Sequence, residues 1–142
     1  MPSSMAMNSP ELIRDMLESA KTIAVVGLSD NPSRASHEVS RYMQAHGYRI
    51  LPVNPAVETV LGEKSYASLA ELPEKPDVAN VFRLPKFVPE IVDEVIRLGI
   101  ANLWLQLDVV DLEAVATAEA AGVRVVMDRC ILIEHRRLGM AR

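Results

Sequence analysis

The chain has 142 residues, of which 49% are hydrophobic, and this is enough for one domain with its own core. Its formal net charge of −4 argues against a nucleic-acid-binding protein, which normally presents a basic face. The sequence contains no apolar run of membrane-spanning length. Its single cysteine, Cys130, excludes an internal disulfide framework and fits a reducing cytoplasm.

The N-terminal residues 1–8 lack the pattern of a secretory signal, and we predict a flexible tail before a single domain at 9–142. A helix start follows, because Ser9 can cap it, Pro10 suits its first position and Glu11 favours the positive end of its dipole. Residues 22–26 are continuously apolar, which is typical of a parallel strand covered on both faces.

The rest of the chain alternates between helical and strand patterns. The predicted helices cover 36–46, 67–72, 87–98, 111–121 and 131–137, and the predicted strands cover 48–53, 78–82, 102–105 and 123–127. Strands that alternate with helices pair in parallel through right-handed crossovers. We therefore predict a Rossmann-like, three-layer α/β domain with a five-stranded parallel sheet, most simply in the order 3-2-1-4-5. Pro52 fits the second strand only near its end or at a bulge.

Such a sheet binds ligands beyond the carboxyl ends of its strands, where the strand order reverses. The loop at 27–36 keeps only the first glycine of the G-x-G-x-x-G motif, because Ser29 and Pro32 occupy the other glycine positions. Its serine hydroxyls, Arg34 and the following helix start still form a potential anion site. The alternative is a structural loop in which Ser36 simply caps the helix.

The second strand ends at Asn54, where NAD-binding domains usually carry a carboxylate for the ribose hydroxyls. A neutral amide tolerates a nearby phosphate, such as the 3′-phosphate that coenzyme A carries and NAD lacks. Basic residues follow several strand ends, namely Arg34, Arg83, Lys86 and Arg129. Each taken singly could be a solvated surface cation, but together they favour an anionic ligand.

Several separated motifs between about Lys21 and Leu138 carry a family resemblance. They are Ile23 to Ser29 with Pro32, Arg34 and Ser36; Val53-Asn54-Pro55; Val81-Phe82-Arg83; Trp104-Leu105-Gln106; and Met127 to Cys130 with Glu134. In this order they resemble the small stand-alone CoA-binding proteins of bacteria and archaea, a family similar to the CoA-binding domain of the succinyl-CoA synthetase α subunit. The resemblance implies CoA lying over the strand ends of a Rossmann-like fold, but it implies no reaction.

We therefore predict a small-molecule nucleotide ligand, coenzyme A or an acyl-CoA. The predicted site residues are Gly27, Leu28, Ser29, Pro32, Arg34, Ser36, Asn54, Pro55, Phe82, Arg83, Lys86, Gln106, Arg129 and Cys130. The family usually has glycine in the place of Asp108, whose carboxylate could weaken CoA binding, change the ligand or point outward. A sensor of NAD(H) or another nucleotide, and an enzyme acting on CoA thioesters, remain the alternatives.

Cys130 is the one candidate nucleophile, and we predict a binding protein with no catalytic residue and no metal ligand. Arg129 and the helix start after Cys130 would favour a thiolate, which could capture CoA as a mixed disulfide. His135 lies five residues further on, an offset that points the two side chains apart on a helix, so a Cys–His dyad is not supported. The alternative is a buried thiol that only packs.

Overall fold

The computed structural model describes residues 6–139, which form helices α1 to α5 and strands β1 to β7. The helices are α1 Pro10–Ser19, α2 Ala35–Ala45, α3 Val88–Leu98, α4 Leu112–Ala120 and α5 Ile131–Leu138. The strands are β1 Thr22–Val26, β2 Arg49–Val53, β3 Thr59–Val60, β4 Glu63–Lys64, β5 Val78–Val81, β6 Asn102–Leu105 and β7 Arg124–Met127. The helix predicted at 67–72 is a single 3-10 turn, Leu69–Glu71.

Five of these strands form a parallel sheet in the order β2-β1-β5-β6-β7, which confirms the predicted Rossmann-like fold class. Helices α3 and α4 pack on one face of this sheet, where their buried aliphatic side chains form one core cluster. Helices α1, α2 and α5 pack on the other face with Trp104, which is fully buried. No helix within residues 6–139 is long and apolar enough to span a bilayer.

The predicted strand order, 3-2-1-4-5, is wrong. The third predicted strand, β5, pairs with β1 on the side opposite β2, so the five strands run 2-1-3-4-5. All four residues of β5 are buried, as expected of an inner strand, whereas β2 carries Pro52. Proline lacks an N–H for a sheet ladder and belongs in an edge strand, so Pro52 was the signal for the observed order.

The antiparallel hairpin of β3 and β4, which was not predicted, lies beside the outer edge of β2. The N–H of Tyr66, just after β4, donates to the Pro52 carbonyl at 3.1 Å. The Tyr66 carbonyl in turn accepts the Asn54 N–H at 2.8 Å. The turn of the hairpin places Leu61 and Gly62 at φ 55° and 76°. Leucine rarely adopts this left-handed conformation, and the sequence signal for the hairpin was correspondingly weak.

Residues 1–5 of the predicted flexible tail lie outside the described residues, but its last part is bound to the domain. The Asn8 side chain forms two hydrogen bonds of 2.8 Å with the backbone of Met127, at the edge of the sheet. Met7 packs against the core on the α3 and α4 face. Met7 and Asn8 therefore belong to the domain, which begins before the predicted boundary at Ser9.

Asp77 links the amino ends of β1 and β5. Its carboxylate accepts the N–H groups of Lys21 and Thr22 at 2.8 and 3.1 Å, and its own N–H donates to Thr22 Oγ1 at 2.9 Å. Burial raises the pKa of Asp77, but these hydrogen bonds and the charge of Lys21 together lower it by more. The pKa of Asp77 therefore lies below its usual value.

We expect Asp77→Asn to lower the free energy of unfolding at pH 7 by about 1 kcal/mol, because charge-assisted hydrogen bonds become neutral ones. A carboxyl group whose pKa is lower in the folded state stabilises the protein at pH values above its unfolded-state pKa. This stabilisation is lost as the pH falls through the folded-state pKa. The variant should therefore lose less stability than the wild type below about pH 4. Urea unfolding at several pH values measures this, and parallel pH profiles would contradict it.

Candidate functional site

A cleft of about 340 Å³ lies across the carboxyl ends of β1, β5, β6 and β7. The residues that line it are Gly27, Ser29, Arg34, Ala35, Ser36, Val39, Phe82, Arg83, Gln106, Leu107, Val109 and Cys130. Two of these residues are arginines and none is an aspartate or a glutamate. The topology thus brings loops from four strand ends into one site, as expected from the parallel sheet.

Gly27 ends β1 in a conformation that brings the loop close to β5. Its φ is +90°, and its N–H donates to the Val53 carbonyl at 2.8 Å. A Cβ at this position would collide with the backbone carbonyl oxygen of Phe82. Only glycine therefore fits here, both for the positive φ and for the close approach of two backbones.

The serines of this loop hold its shape. Ser36 is buried and its Oγ accepts the Ser29 N–H at 3.0 Å, while Ser29 Oγ accepts the Asn31 N–H at 3.0 Å. The N-cap of α2 is Arg34, which makes no side-chain capping bond. The interpretation of Ser36 as a helix cap is therefore wrong: its hydroxyl fixes the loop across the start of the helix.

The start of α2 and two arginines form the anion-binding side of the cleft. Ala35 and Ser36 belong to the first turn of α2, whose N–H groups have no intrahelical partners and attract anions. Arg34 is exposed at the same helix end. The guanidinium of Arg83 lies 4.0 Å from the centre of the Phe87 ring, which steadies this second cation beside β5.

Gln106 and Cys130 lie at the other end of the cleft, over β6 and β7. Gln106 is buried, and its Oε1 accepts the N–H of Ile131 at 3.1 Å, which ties the start of α5 to β6. Cys130 precedes that helix and is only 9% exposed. His135 is also buried, but it does not line the cleft, and its Nδ1 lies 2.9 Å from the Tyr42 hydroxyl.

Three predicted residues of the first two loops do not line this cleft. Leu28 is fully buried, and its carbonyl accepts a hydrogen bond of 2.9 Å from Asn54 Nδ2. Asn54 Oδ1 accepts the Ala56 N–H at 2.9 Å, so both polar atoms of this amide are used within the fold. Pro32 is exposed on the outer part of the loop.

Pro55, Lys86 and Arg129 also lie outside the lining of the cleft. Pro55 and Asn54 border a separate depression of about 450 Å³ beside the β3–β4 hairpin. Lys86 is exposed, with its ammonium 5.2 Å from the Phe87 ring centre. Arg129 donates to the Asp128 carbonyl at 3.1 Å. Of the four predicted cations, the structure brings Arg34 and Arg83 to the cleft.

The lining residues that the sequence analysis missed are Ala35, Val39, Leu107 and Val109. Asp108, between the last two, is exposed and does not line the cleft. Its φ of +67° explains why glycine suits this position, and its N–H donates to Asp128 Oδ1 at 2.8 Å. Of the three effects considered for Asp108, the structure shows the outward placement.

A parallel sheet with a ligand-sized cleft at its carboxyl edge defines the class of Rossmann-like ligand-binding domains. Within that class, the chain belongs to the CoA-binding domain family, whose model matches residues 21–136. The family resemblance of the sequence is thereby confirmed.

Similar proteins include stand-alone chains and longer enzymes. The uncharacterized protein YneT of Bacillus subtilis is 42% identical over 123 residues, which cover 87% of this chain and 91% of YneT. The solved structure of a hypothetical protein from Pyrococcus horikoshii OT3 has 40% identity and a TM-score of 0.88, with 92% of each chain covered. The α subunit of ADP-forming acetate–CoA ligase II from Pyrococcus furiosus is 27% identical over 128 residues, or 82% of this chain but only 28% of that subunit.

Proposed function

We propose that this chain binds coenzyme A or an acyl-CoA in the cleft at the carboxyl ends of β1, β5, β6 and β7. One observation carries the proposal: the lining contains Arg34 and Arg83 and no carboxylate, although the chain has a net charge of −4. By contrast, the groove between α3 and α4 is lined by Asp93, Asp111 and Glu113, which would repel an anion. Membership of the CoA-binding domain family supports the identity of the ligand.

The two ends of the cleft suit the two parts of CoA. Phosphates bind well where a helix N-terminus and arginines meet, as Arg34, Arg83 and the first turn of α2 do here. The remaining lining residues over β5, β6 and β7 are mostly apolar, and they suit the flexible arm that ends in the thiol. None of the lining residues is Asp, Glu, His or Lys, which favours binding without acid–base catalysis.

The proposal predicts selective stabilisation by CoA. A ligand at about one hundred times its dissociation constant adds about 2.7 kcal/mol to the free energy of unfolding. For a domain of this size, the melting temperature should rise by several degrees, about 10 °C at most. Thermal melts with CoA, NAD, NADH and ATP measure this selectivity. A shift with NAD and none with CoA would reject the proposal and favour a sensor of another nucleotide.

The same site could capture CoA covalently through Cys130. The Cys130 thiolate would attack CoA disulfide, form a protein–CoA disulfide and release one CoA as its thiolate, so that atoms and electrons balance. Cys130 lines the cleft directly before α5, so its thiol borders the space that the CoA arm would occupy. In a reducing cytoplasm, where we expect this protein, the adduct would form only on oxidation.

Intact-mass measurement of the folded protein after incubation with CoA disulfide tests this step. We expect one adduct with the mass of CoA, which a reducing agent removes. The Cys130→Ser variant is the control and should show no adduct. If the folded wild type stays unmodified and Cys130 reacts only after denaturation, the thiol has a packing role and the capture hypothesis is wrong.

A further inference from the structure

Large apolar side chains are exposed on only one part of the described surface. Within residues 6–139 they are Leu84, Leu107, Val110, Leu112 and Ile133. Leu84 follows the end of β5, the segment 107–112 follows β6, and Ile133 lies in the first turn of α5 after β7. Because carboxyl ends of parallel strands share one edge of a sheet, these residues are concentrated at the edge that carries the cleft.

The cleft itself changes in polarity along the sheet. Its two cations, Arg34 and Arg83, belong to the segments after β1 and β5, whereas Leu107 and Val109 follow β6. Strands β1 and β7 are three positions apart in the sheet, roughly 14 Å at the usual spacing between strands. A ligand that fits this gradient is charged at one end and apolar at the other.

Leu107 connects the cleft with the exposed apolar residues. It lines the cleft, yet 52% of its surface is exposed, while its neighbour in the lining, Val109, is buried. Exposed apolar side chains that are concentrated beside a binding cleft are typical of a surface that a ligand or partner covers. Free CoA, which ends in a small thiol, adds no apolar group beyond its arm to cover it.

We propose, building on the function proposed above, that the preferred ligand is an acyl-CoA with an apolar acyl chain of several carbons. The phosphates lie at Arg34 and Arg83, the arm crosses β5 and β6, and the acyl chain covers Leu107. The acyl chain is favoured over a partner protein because Leu107 is continuous with the interior of the cleft through Val109.

Titration calorimetry with CoA, acetyl-CoA, butyryl-CoA and octanoyl-CoA tests this preference. A fully buried methylene group tightens binding about fourfold, so burial of only two of the six additional methylene groups makes octanoyl-CoA bind at least about tenfold more tightly than acetyl-CoA. Leu107→Ser should remove this dependence on chain length. Leu112→Ser is the matched control, because Leu112 is 66% exposed but does not line the cleft, and it should keep the dependence.

The other outcomes separate the two proposals. If the wild type binds CoA and all three thioesters equally, the acyl-chain proposal is wrong and CoA binding stands. If it binds none of them, the proposed function itself is wrong. If sedimentation shows a dimer that Leu107→Ser dissociates, and affinity does not depend on chain length, the apolar surface is an interface between copies and the acyl-chain proposal is again wrong.

Discussion

Gly27→Ala should lower the free energy of unfolding by about 3 kcal/mol or more, the largest stability effect that we expect from one methyl group in this chain. Gly27 has φ +90°, a conformation that is costly for alanine. The added Cβ would also collide with the Phe82 carbonyl oxygen, a backbone atom that cannot rotate away. Relief of the collision requires the ends of β1 and β5 to separate. Urea unfolding followed by circular dichroism measures the loss.

Gly122→Ala is the matched control for this effect. Gly122 also has φ +90°, but a Cβ there would meet no atom within 4 Å. The control should therefore show only the conformational penalty, about 1–2 kcal/mol. Equal losses in the two variants would show that the close approach between Gly27 and Phe82 contributes nothing, and that the positive φ alone explains the glycine.

Local signals predicted the helices and strands because each depends on residues close together in the chain. The Ser9 and Asp111 side chains accept the capping N–H groups of Leu12 and Ala114, at 3.1 and 3.0 Å. The order of the strands depends on contacts between distant residues, which these local signals do not specify. Pro52 was informative about that order, because a strand that lacks a ladder N–H is stable at an edge.

The position of the site was easier to predict than the direction of its side chains. A parallel sheet brings the strand-end loops together, so Arg34, Phe82, Gln106 and Cys130 do line one cleft. Asn54 lies at a strand end too, but its side-chain amide is hydrogen-bonded to the backbone of Leu28 and Ala56. A sequence pattern cannot reveal these two bonds. Leu107 carries no chemical signal in the sequence, and only its exposure in the folded chain draws attention to it.

Arg34→Ala should weaken CoA binding by about 1.5–3 kcal/mol, or roughly 10-fold to 160-fold, the usual contribution of a charge-assisted hydrogen bond. Arg34 lines the cleft at the start of α2, and it makes no ion pair with another residue in the described part of the chain. Its guanidinium is therefore available to a phosphate, and the adjacent helix dipole strengthens the site for an anion. Titration calorimetry measures the loss.

The choice of ligand and control shows which phosphate Arg34 binds. If Arg34 contacts the 3′-phosphate, its removal should weaken CoA binding more than binding of 3′-dephospho-CoA; if it contacts the pyrophosphate, both ligands should lose the same factor. Arg41→Ala is the matched control, because Arg41 is exposed on the same helix and lies outside the cleft lining. It removes the same charge from the protein, so a general effect of net charge would weaken binding in both variants alike. Similar losses in the two variants, or no loss in Arg34→Ala, would mean that Arg34 is a surface cation without a specific role.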